Sequence, residues 1–292
     1  MMSTTEVMLE FVRAAVFDRV PIIPEGYEID WDKLQDISSE QGVLAWVWDG
    51  ICKLPKEEQP PRIVRINFGM SAQEIWDRSK KQENVLAEMV ATCRANDIRM
   101  LLLKGYGLAR LYPKPESRPS GDIDFYLFED YQKGNDLFSG ENSKKSNKHS
   151  ENDYQGVHVE NHFSMLDTDN RYRKRIEKYL EISLNKAYLT SYGYYLLEPT
   201  SNLLYLLAHS IRHFEHSQII PIRNIIDISF FIEKNKSQIN PIEFKRLAEK
   251  FGIQKIFDLF LAISENLMHF DFADYRTYST KNVDLKRIIQ YY

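Results

Sequence analysis

The sequence predicts an α+β fold in which a small mixed β-sheet core is flanked by N- and C-terminal helical regions. Helical periodicity dominates residues 1–95 and returns from Arg171 onward, whereas the stretch between them contains short apolar runs bounded by glycine and proline. With 292 residues, 43% of them apolar, the chain can bury a sizeable core. We therefore expect a helical region at 1–95, an α/β core at 96–168 and a second helical region at 169–292.

The first helical region contains a proline-rich break from Pro55 to Pro61. Its clearest helix is predicted over Ala72–Asn96, where apolar residues recur at helical spacing beside lysines and glutamates. The apolar run Ile98–Leu103 then precedes a Lys-Gly-Tyr-Gly segment at 104–107. This pattern predicts a buried strand that enters a turn, followed by a brief helix to about Tyr112.

Three prolines between residues 113 and 119 exclude regular helix and lead into a strand that carries Asp122 and Asp124. A short helix is predicted over Tyr131–Phe138. The polar segment 139–155 fits a flexible loop or a strand near Ser146–Ser150 that turns at residues 152–153. We favour this hairpin because it brings the next strand, over residues 156–165, beside its neighbour.

The second helical region shows the 3.6-residue period again, with no internal repeat and no coiled-coil heptad. Prolines lie near two of the helix starts, where a missing N–H costs little. Helices are predicted over 202–214, 223–233, 241–251 and 256–269.

Composition and charge exclude several functions. A formal net charge of −4 gives no support for bulk nucleic-acid binding. Charged residues interrupt the apolar stretch Val7–Val20, so neither a secretory leader nor a membrane span is expected there. Cys52 and Cys93 have no metal-type spacing and are expected to be core thiols. These features predict a cytoplasmic protein without a membrane partner.

Asp122 and Asp124 are the leading candidate functional residues. Side chains alternate along a strand, so both aspartates project from one face while Ile123, Phe125 and Leu127 project from the other, buried face. Two close carboxylates repel each other unless a cation lies between them. Oxygen ligands of this kind suit Mg²⁺.

Three sequence features together resemble the polymerase-β-like nucleotidyltransferase superfamily, specifically its bacterial branch of uncharacterised nucleotidyltransferases. They are Lys104-Gly105, the Arg-Pro-Ser-Gly-Asp-Ile-Asp run that begins at Arg118, and the later strand at 157–163 that carries Glu160. The resemblance implies that Asp122, Asp124 and Glu160 are catalytic and hold two Mg²⁺ or Mn²⁺ ions around a nucleoside triphosphate such as ATP.

The same resemblance implies a phosphate loop at Gly105 and Tyr106, although its Gly-Tyr-Gly sequence lacks the serine that the superfamily usually has there. Lys104 or Arg118 is expected to add a charged contact, Arg118 with the better geometry for a two-point contact. A face of the C-terminal helices is expected to close over the nucleotide or acceptor. Its residues are His209, Arg223 and Asp227.

Other interpretations of these residues stay open. Asp-x-Asp alone is often a solvated strand end, His209 and His213 fit helix packing, and Arg223 and Asp227 fit an intrahelical ion pair. His158, Glu160 and His162 form a His-x-Glu-x-His triplet that in principle binds zinc, although residues two apart on a strand are about 7 Å apart.

The sequence thus predicts an enzyme that moves a nucleoside monophosphate from a nucleoside triphosphate to a hydroxyl of a small molecule or protein. A non-catalytic nucleotide-binding or interaction protein on the same fold is the alternative.

Overall fold

Four helices precede the sheet, and the first of them begins with a complete capping box. This computed structural model describes residues 2–146, 148–167, 169–217 and 221–275. In the capping box, Ser3 Oγ accepts the Glu6 N–H at 3.2 Å and Glu6 Oε2 accepts the Ser3 N–H at 2.6 Å. The helices are α1 (Thr4–Val16), α2 (Trp31–Glu40), α3 (Leu44–Ile51) and α4 (Arg62–Ala95).

The described part of the chain forms one seven-stranded mixed sheet in the order β3-β4-β5-β2-β1-β7-β6. The β2–β5 and β1–β7 pairs are parallel, and the other neighbours are antiparallel. The strands are β1 (Leu101–Leu102), β2 (Ile123–Tyr126), β3 (Glu141–Lys145), β4 (His149–Tyr154), β5 (Val157–His162), β6 (Tyr188–Leu189) and β7 (Tyr195–Leu196).

Two short helices connect strands of the sheet. Of the five longer helices in the described residues, the first lies between β5 and β6 and the other four follow β7. The connecting helices are α5 (Tyr106–Ala109) and α6 (Tyr131–Leu137). The longer ones are α7 (Arg171–Ser183), α8 (Pro199–Ser217), α9 (Ile222–Lys234), α10 (Pro241–Phe251) and α11 (Gln254–Met268).

The α+β fold class is confirmed, with helices on both sides of a mixed sheet. The sheet also takes in β6 and β7, which lie beyond residue 168 and carried no period-2 pattern long enough to predict them. The three-part domain division itself remains a prediction, and its last part is described only to residue 275.

The two hairpin strands β4 and β5 are present, but the predicted position of their turn is wrong. The turn lies at Gln155 and Gly156, which have φ angles of 52° and 69°, rather than at residues 152–153. Two successive residues with positive φ make a turn whose twist matches that of antiparallel strands. Residue 147, part of the strand predicted near Ser146–Ser150, lies outside the described residues.

The sheet separates an apolar side from the side that carries the acidic residues. Ile123, Phe125 and Leu127 are at most 2% exposed and pack in one cluster with Val85 and Met89 of α4. The predicted alternation along β2 is therefore confirmed. The opposite side of β2 faces the C-terminal helices. Asp122 lines a cavity together with residues of α8 and α9, and Asp124 interacts electrostatically with Tyr205 of α8.

Cys93 is buried as expected, whereas the expectation for Cys52 is wrong, because it lies exposed just after α3. Among the described residues no helix combines the length and the apolar character that crossing a membrane requires.

Gly50 on α3 is where the backbone of α1 comes closest, and it gives a test of the helical packing. A Cβ at Gly50 would overlap the carbonyl oxygen of Phe11 and lie 2.8 Å from its Cα, atoms that cannot move without shifting α1. We expect Gly50→Ala to lower the free energy of unfolding by about 3 kcal/mol.

The matched control is Gly69→Ala in the first third of α4, where a Cβ would meet Trp48 at an ordinary 3.4 Å. That change should raise the free energy of unfolding by up to about 1 kcal/mol, since alanine is the better helix former. Urea denaturation measures both, and equal effects would contradict this packing.

Candidate active site

Parallel pairing of β2 with β5 brings the three predicted acidic residues together. Asp124 and Glu160 are direct cross-strand partners, and Asp122 lies two residues before Asp124 on the same face. One carboxylate oxygen from each residue lies within 4.8 Å of the other two. Asp124 is fully buried, whereas Asp122 and Glu160 are partly exposed. The site therefore has a buried floor and an open side.

Lys104 neutralises part of this negative charge. Its Nζ lies 2.9 Å from Asp124 Oδ2 and 3.4 Å from Asp122 Oδ2. Burial alone would lower the pKa of Lys104, but the neighbouring carboxylates raise it well above its ordinary value. The contact with Asp124 is an ion pair without hydrogen-bond geometry, so Asp124 Oδ2 accepts no hydrogen bond from the described residues.

His162 at the end of β5 joins two of the carboxylates. Its Nε2 lies 3.0 Å from Asp124 Oδ1 and 3.2 Å from Glu160 Oε2, while its Nδ1 lies 3.2 Å from the Ser164 carbonyl oxygen. Burial opposes the charged ring, but these hydrogen bonds raise the pKa of His162 above its ordinary value.

The same contacts keep Glu160 ionised. Burial would raise the pKa of Glu160, but the hydrogen bond from His162 and the charge of Lys104 outweigh it and lower that pKa to about 2. Glu160 is therefore an anionic ligand at neutral pH. Asp124 behaves in the same way, because Lys104 and His162 overcome its burial and lower its pKa.

The loop before α5 approaches the acidic strand so closely that only glycine fits. Gly105 has a φ of +62°, and a Cβ there would lie 3.0 Å from Ser120 Oγ and 3.3 Å from the Asp122 carbonyl oxygen. Ser120 Oγ in turn donates to the Asp122 carbonyl at 3.2 Å. A serine hydroxyl therefore stands beside the glycine loop, although it comes from a different segment.

A cavity of about 280 Å³ opens between this loop and helices α8 and α9. Across its helical wall, His209 Nε2 and His213 Nε2 lie 2.9 Å apart, so one ring donates and the other accepts. Burial, followed by the positive charge of Lys104, lowers the pKa of both histidines. Its other charged and hydroxyl-bearing residues are Lys104, Arg118, Ser120, Asp122, Ser210, Arg223 and Asp227.

The match to a protein family covers this site and most of both flanking regions. A family model described as "Uncharacterised nucleotidyltransferase" matches residues 27–269. The chain belongs to the uncharacterised nucleotidyltransferase family. This confirms the relationship indicated by the Lys-Gly and Arg-Pro-Ser-Gly-Asp-Ile-Asp segments. No match was found among curated proteins or among solved structures.

In this family member, Arg118 makes its two-point contact with a protein carboxylate. Its Nε and Nη2 each lie 2.8 Å from an oxygen of Asp227, and the Tyr112 hydroxyl donates to the same carboxylate at 2.8 Å. Arg118 and Asp227 are both almost fully buried. Asp227 is therefore tied to the loop before β2 rather than paired within α9, and a phosphate contact from Arg118 stays a prediction.

Of the remaining predicted residues, Arg223 lies at the cavity, whereas the Tyr106 side chain points away from it. Arg223 lines the cavity and donates from Nη1 to the Pro119 carbonyl at 3.2 Å. Its Nε is buried without a hydrogen-bond partner among the described residues. Tyr106 instead packs its ring in the apolar cluster behind the sheet, so only its backbone borders the loop.

Two basic residues near the carboxylates were not predicted from the sequence. Lys148 is 6% exposed, and its pKa is lowered by burial, an effect that the charge of Glu160 opposes. His149 is 5% exposed and is the cross-strand partner of His162. Both lie at the edge of a polar, lysine-rich segment that looks solvated in sequence. Only the hairpin register reveals that His149 on β4, with Lys148 just before it, lies near the site.

His158, in contrast, does not join Glu160 and His162. Its side chain is 41% exposed and its Nδ1 lies 3.5 Å from Asp153 on the outer part of the hairpin. The zinc triplet considered from the sequence is therefore not brought together.

We expect removal of the negative charge of Asp227 to lower the stability of the protein strongly, because Asp227 pairs with the buried Arg118. Asp227→Asn keeps the shape but leaves the buried guanidinium uncompensated, so we expect the free energy of unfolding to fall by about 3–5 kcal/mol. Tyr112→Phe removes one hydrogen bond to the same carboxylate and should cost less, about 1.5–2 kcal/mol. Chemical denaturation compares them, and equal losses would contradict the importance of the ion pair.

Proposed function

We propose that the protein is a Mg²⁺-dependent nucleotidyltransferase that moves a nucleoside monophosphate from a nucleoside triphosphate, such as ATP, to a hydroxyl of a small molecule or protein. The observation that carries this proposal is the convergence of three carboxylates from the parallel strands β2 and β5. Membership of a nucleotidyltransferase family supports the same reaction class.

The donor set suits the metal. Asp122, Asp124 and Glu160 offer hard oxygen ligands whose atoms are close enough to share cations, and the Lys104 ammonium is a cation that already pairs with Asp124 Oδ2. These three residues would hold Mg²⁺ or Mn²⁺. Bound there, two such ions lower the pKa of an acceptor hydroxyl and neutralise charge on departing pyrophosphate.

Glu160 acts in this proposal as a ligand and not as the main base. Its pKa of about 2 makes it a weak proton acceptor, because His162 and Lys104 already stabilise its charge. The acceptor oxygen forms its bond to the α-phosphorus, the bond to the bridging oxygen of the β-phosphate breaks, and pyrophosphate carries away the negative charge. The proton of the acceptor hydroxyl passes to solvent on the open side of the site.

The glycine loop and the adjoining cavity are the proposed binding site for the triphosphate. Gly105 lets the backbone approach closely, and Ser120 places a hydroxyl from another segment beside it. To donate to a phosphate, this hydroxyl would give up its hydrogen bond to the Asp122 carbonyl. Arg223 provides a cation on the helical wall. Complete ligand pockets usually enclose about 300–1,000 Å³. A cavity of about 280 Å³ therefore suits the phosphates, with the nucleoside outside it.

The alternative is a non-catalytic nucleotide-binding protein on the same fold, and the position of Lys104 favours it. An ammonium group 2.9 Å from Asp124 occupies space near the carboxylates that a metal ion would need. In the enzyme Lys104 must move toward the phosphates when metal binds. In the non-catalytic protein it would stay. We place either protein in the cytoplasm, where nucleoside triphosphates and Mg²⁺ are abundant.

The reaction is tested by incubating the protein with each α-labelled nucleoside triphosphate, Mg²⁺ and a cell extract. Transfer of label to a protein or small molecule, dependent on Mg²⁺, is the expected result. Nucleotide binding without transfer under any of these conditions would favour the non-catalytic alternative.

Asp124→Asn tests the buried ligand. It removes a negative charge from the metal site with little change in shape, so we expect turnover to fall by about 100- to 1,000-fold. Because Asp124 also pairs with Lys104 and His162, turnover is measured at a temperature where circular dichroism shows the variant to be folded. Asp153→Asn, which changes a 56% exposed aspartate on β4, is the matched control and should keep full turnover. Near wild-type turnover by Asp124→Asn would contradict the catalytic assignment.

Glu160→Gln tests the ligand at the open side. Because Glu160 is expected on the acceptor side of the metal site, the substitution should lower turnover far more than nucleotide affinity. Transfer assays give the turnover and equilibrium dialysis gives the affinity. Equal losses in both measurements would point to a structural role for Glu160.

A further inference from the structure

A second cluster of potential ligands shares Glu160 with the three carboxylates. His149 on β4 is the direct cross-strand partner of His162 on β5. Glu160 Oε2 lies 3.2 Å from His149 Nδ1 and 3.2 Å from His162 Nε2. All three ligand atoms lie within 4.8 Å of one another. Glu160 therefore belongs to two clusters at once, one of carboxylates and one with two imidazoles.

In both histidines, the ring nitrogen that faces away from Glu160 has a hydrogen-bond partner that orients the ring. His149 Nε2 lies 2.8 Å from Glu151 Oε1, and His162 Nδ1 lies 3.2 Å from the Ser164 carbonyl oxygen. Each acceptor favours a proton on the nitrogen it faces. This is the usual arrangement of metal-binding histidines, whose second nitrogen donates to a carboxylate or carbonyl and so fixes the ring.

His149 Nδ1 is the decisive atom. It is buried and accepts or donates no hydrogen bond among the described residues, and the His149 side chain is only 6% exposed. With the proton on Nε2, a nitrogen lone pair faces a carboxylate oxygen at 3.2 Å. Two lone pairs at this distance repel each other, and a cation between them would turn the repulsion into two bonds.

The distances suit a small tetrahedral ion. Zinc binds nitrogen and oxygen ligands at about 2.0–2.2 Å, which places neighbouring ligands of a tetrahedron about 3.3 Å apart. Two ligand separations in this cluster are already 3.2 Å. Imidazole nitrogens also select zinc and related transition metals over Mg²⁺, which prefers oxygen.

We propose that His149, Glu160 and His162 form a binding site for a transition-metal ion of the zinc class, and that an ion bound there inhibits the transferase. Zinc takes the Glu160 carboxylate that the Mg²⁺ site needs. It also takes His162 Nε2, and the proton that this nitrogen shares with Asp124 and Glu160 is released to solvent when the ion binds. The metal binding stands independently, whereas the inhibition rests on the proposed transferase function.

Direct metal binding is tested by competition between the protein and a chromophoric zinc chelator. We expect one high-affinity Zn²⁺ per wild-type chain and a loss of at least about 100-fold in His149→Gln. Glu151→Gln removes only the negative charge of the acceptor that orients His149 and should cost about 10-fold. His158→Gln is the matched control, because it changes an exposed histidine of the same hairpin and should keep wild-type affinity.

Circular dichroism confirms that each variant is folded before its affinity is compared. Equal zinc affinity in wild type and His149→Gln would overturn the site. So would an equal loss in His158→Gln and His149→Gln, since zinc would then bind elsewhere on the hairpin.

The regulatory consequence is tested by transfer assays at fixed Mg²⁺ with buffered free Zn²⁺. Wild-type transfer should fall as zinc fills the site, whereas His149→Gln should keep its transfer at the same free zinc. Full zinc occupancy with unchanged wild-type transfer would overturn the inhibition. Absence of transfer in zinc-free buffer would instead refute the proposed function while leaving the binding result intact.

Discussion

The parallel pairing of β2 with β5 is the constraint on which the rest of the site depends. It places Asp124 directly beside Glu160, and like charges in that position destabilise a sheet. Lys104 and His162 compensate by ion pairing and hydrogen bonding with these carboxylates. The fold therefore holds closely spaced carboxylates that stay ionised, which the proposed metal site requires.

The buried Arg118–Asp227 pair extends this constraint to the C-terminal helices. It joins the loop before β2 to α9 through two hydrogen bonds, with Tyr112 as a third donor to the same carboxylate. Because the cavity wall is built from α8 and α9, this connection sets the distance between the helical wall and the acidic strand. The C-terminal helices thus form part of the site.

Local sequence patterns predicted much of the fold and the centre of the site. Period-2 alternation placed Asp122 and Asp124 on one face, and glycine at 105 indicated the close turn. Contacts between distant segments were not predictable in this way. The partner of Arg118 lies on α9, and the two-residue strands β6 and β7 are too short to show a pattern. His149 joins the site only through hairpin register, which a turn placed at 152–153 instead of 155–156 would change.

The central claim is that Asp122, Asp124 and Glu160 jointly bind the metal ions that accompany a nucleotide. A crystal structure with Mn²⁺ and a non-hydrolysable nucleoside triphosphate, with manganese located by anomalous scattering, tests it most directly. The account predicts manganese bound by all three carboxylates, with the Lys104 ammonium moved from its 2.9 Å contact with Asp124 toward the phosphates. Manganese and nucleotide bound away from these carboxylates, with Lys104 still paired to Asp124, would contradict it.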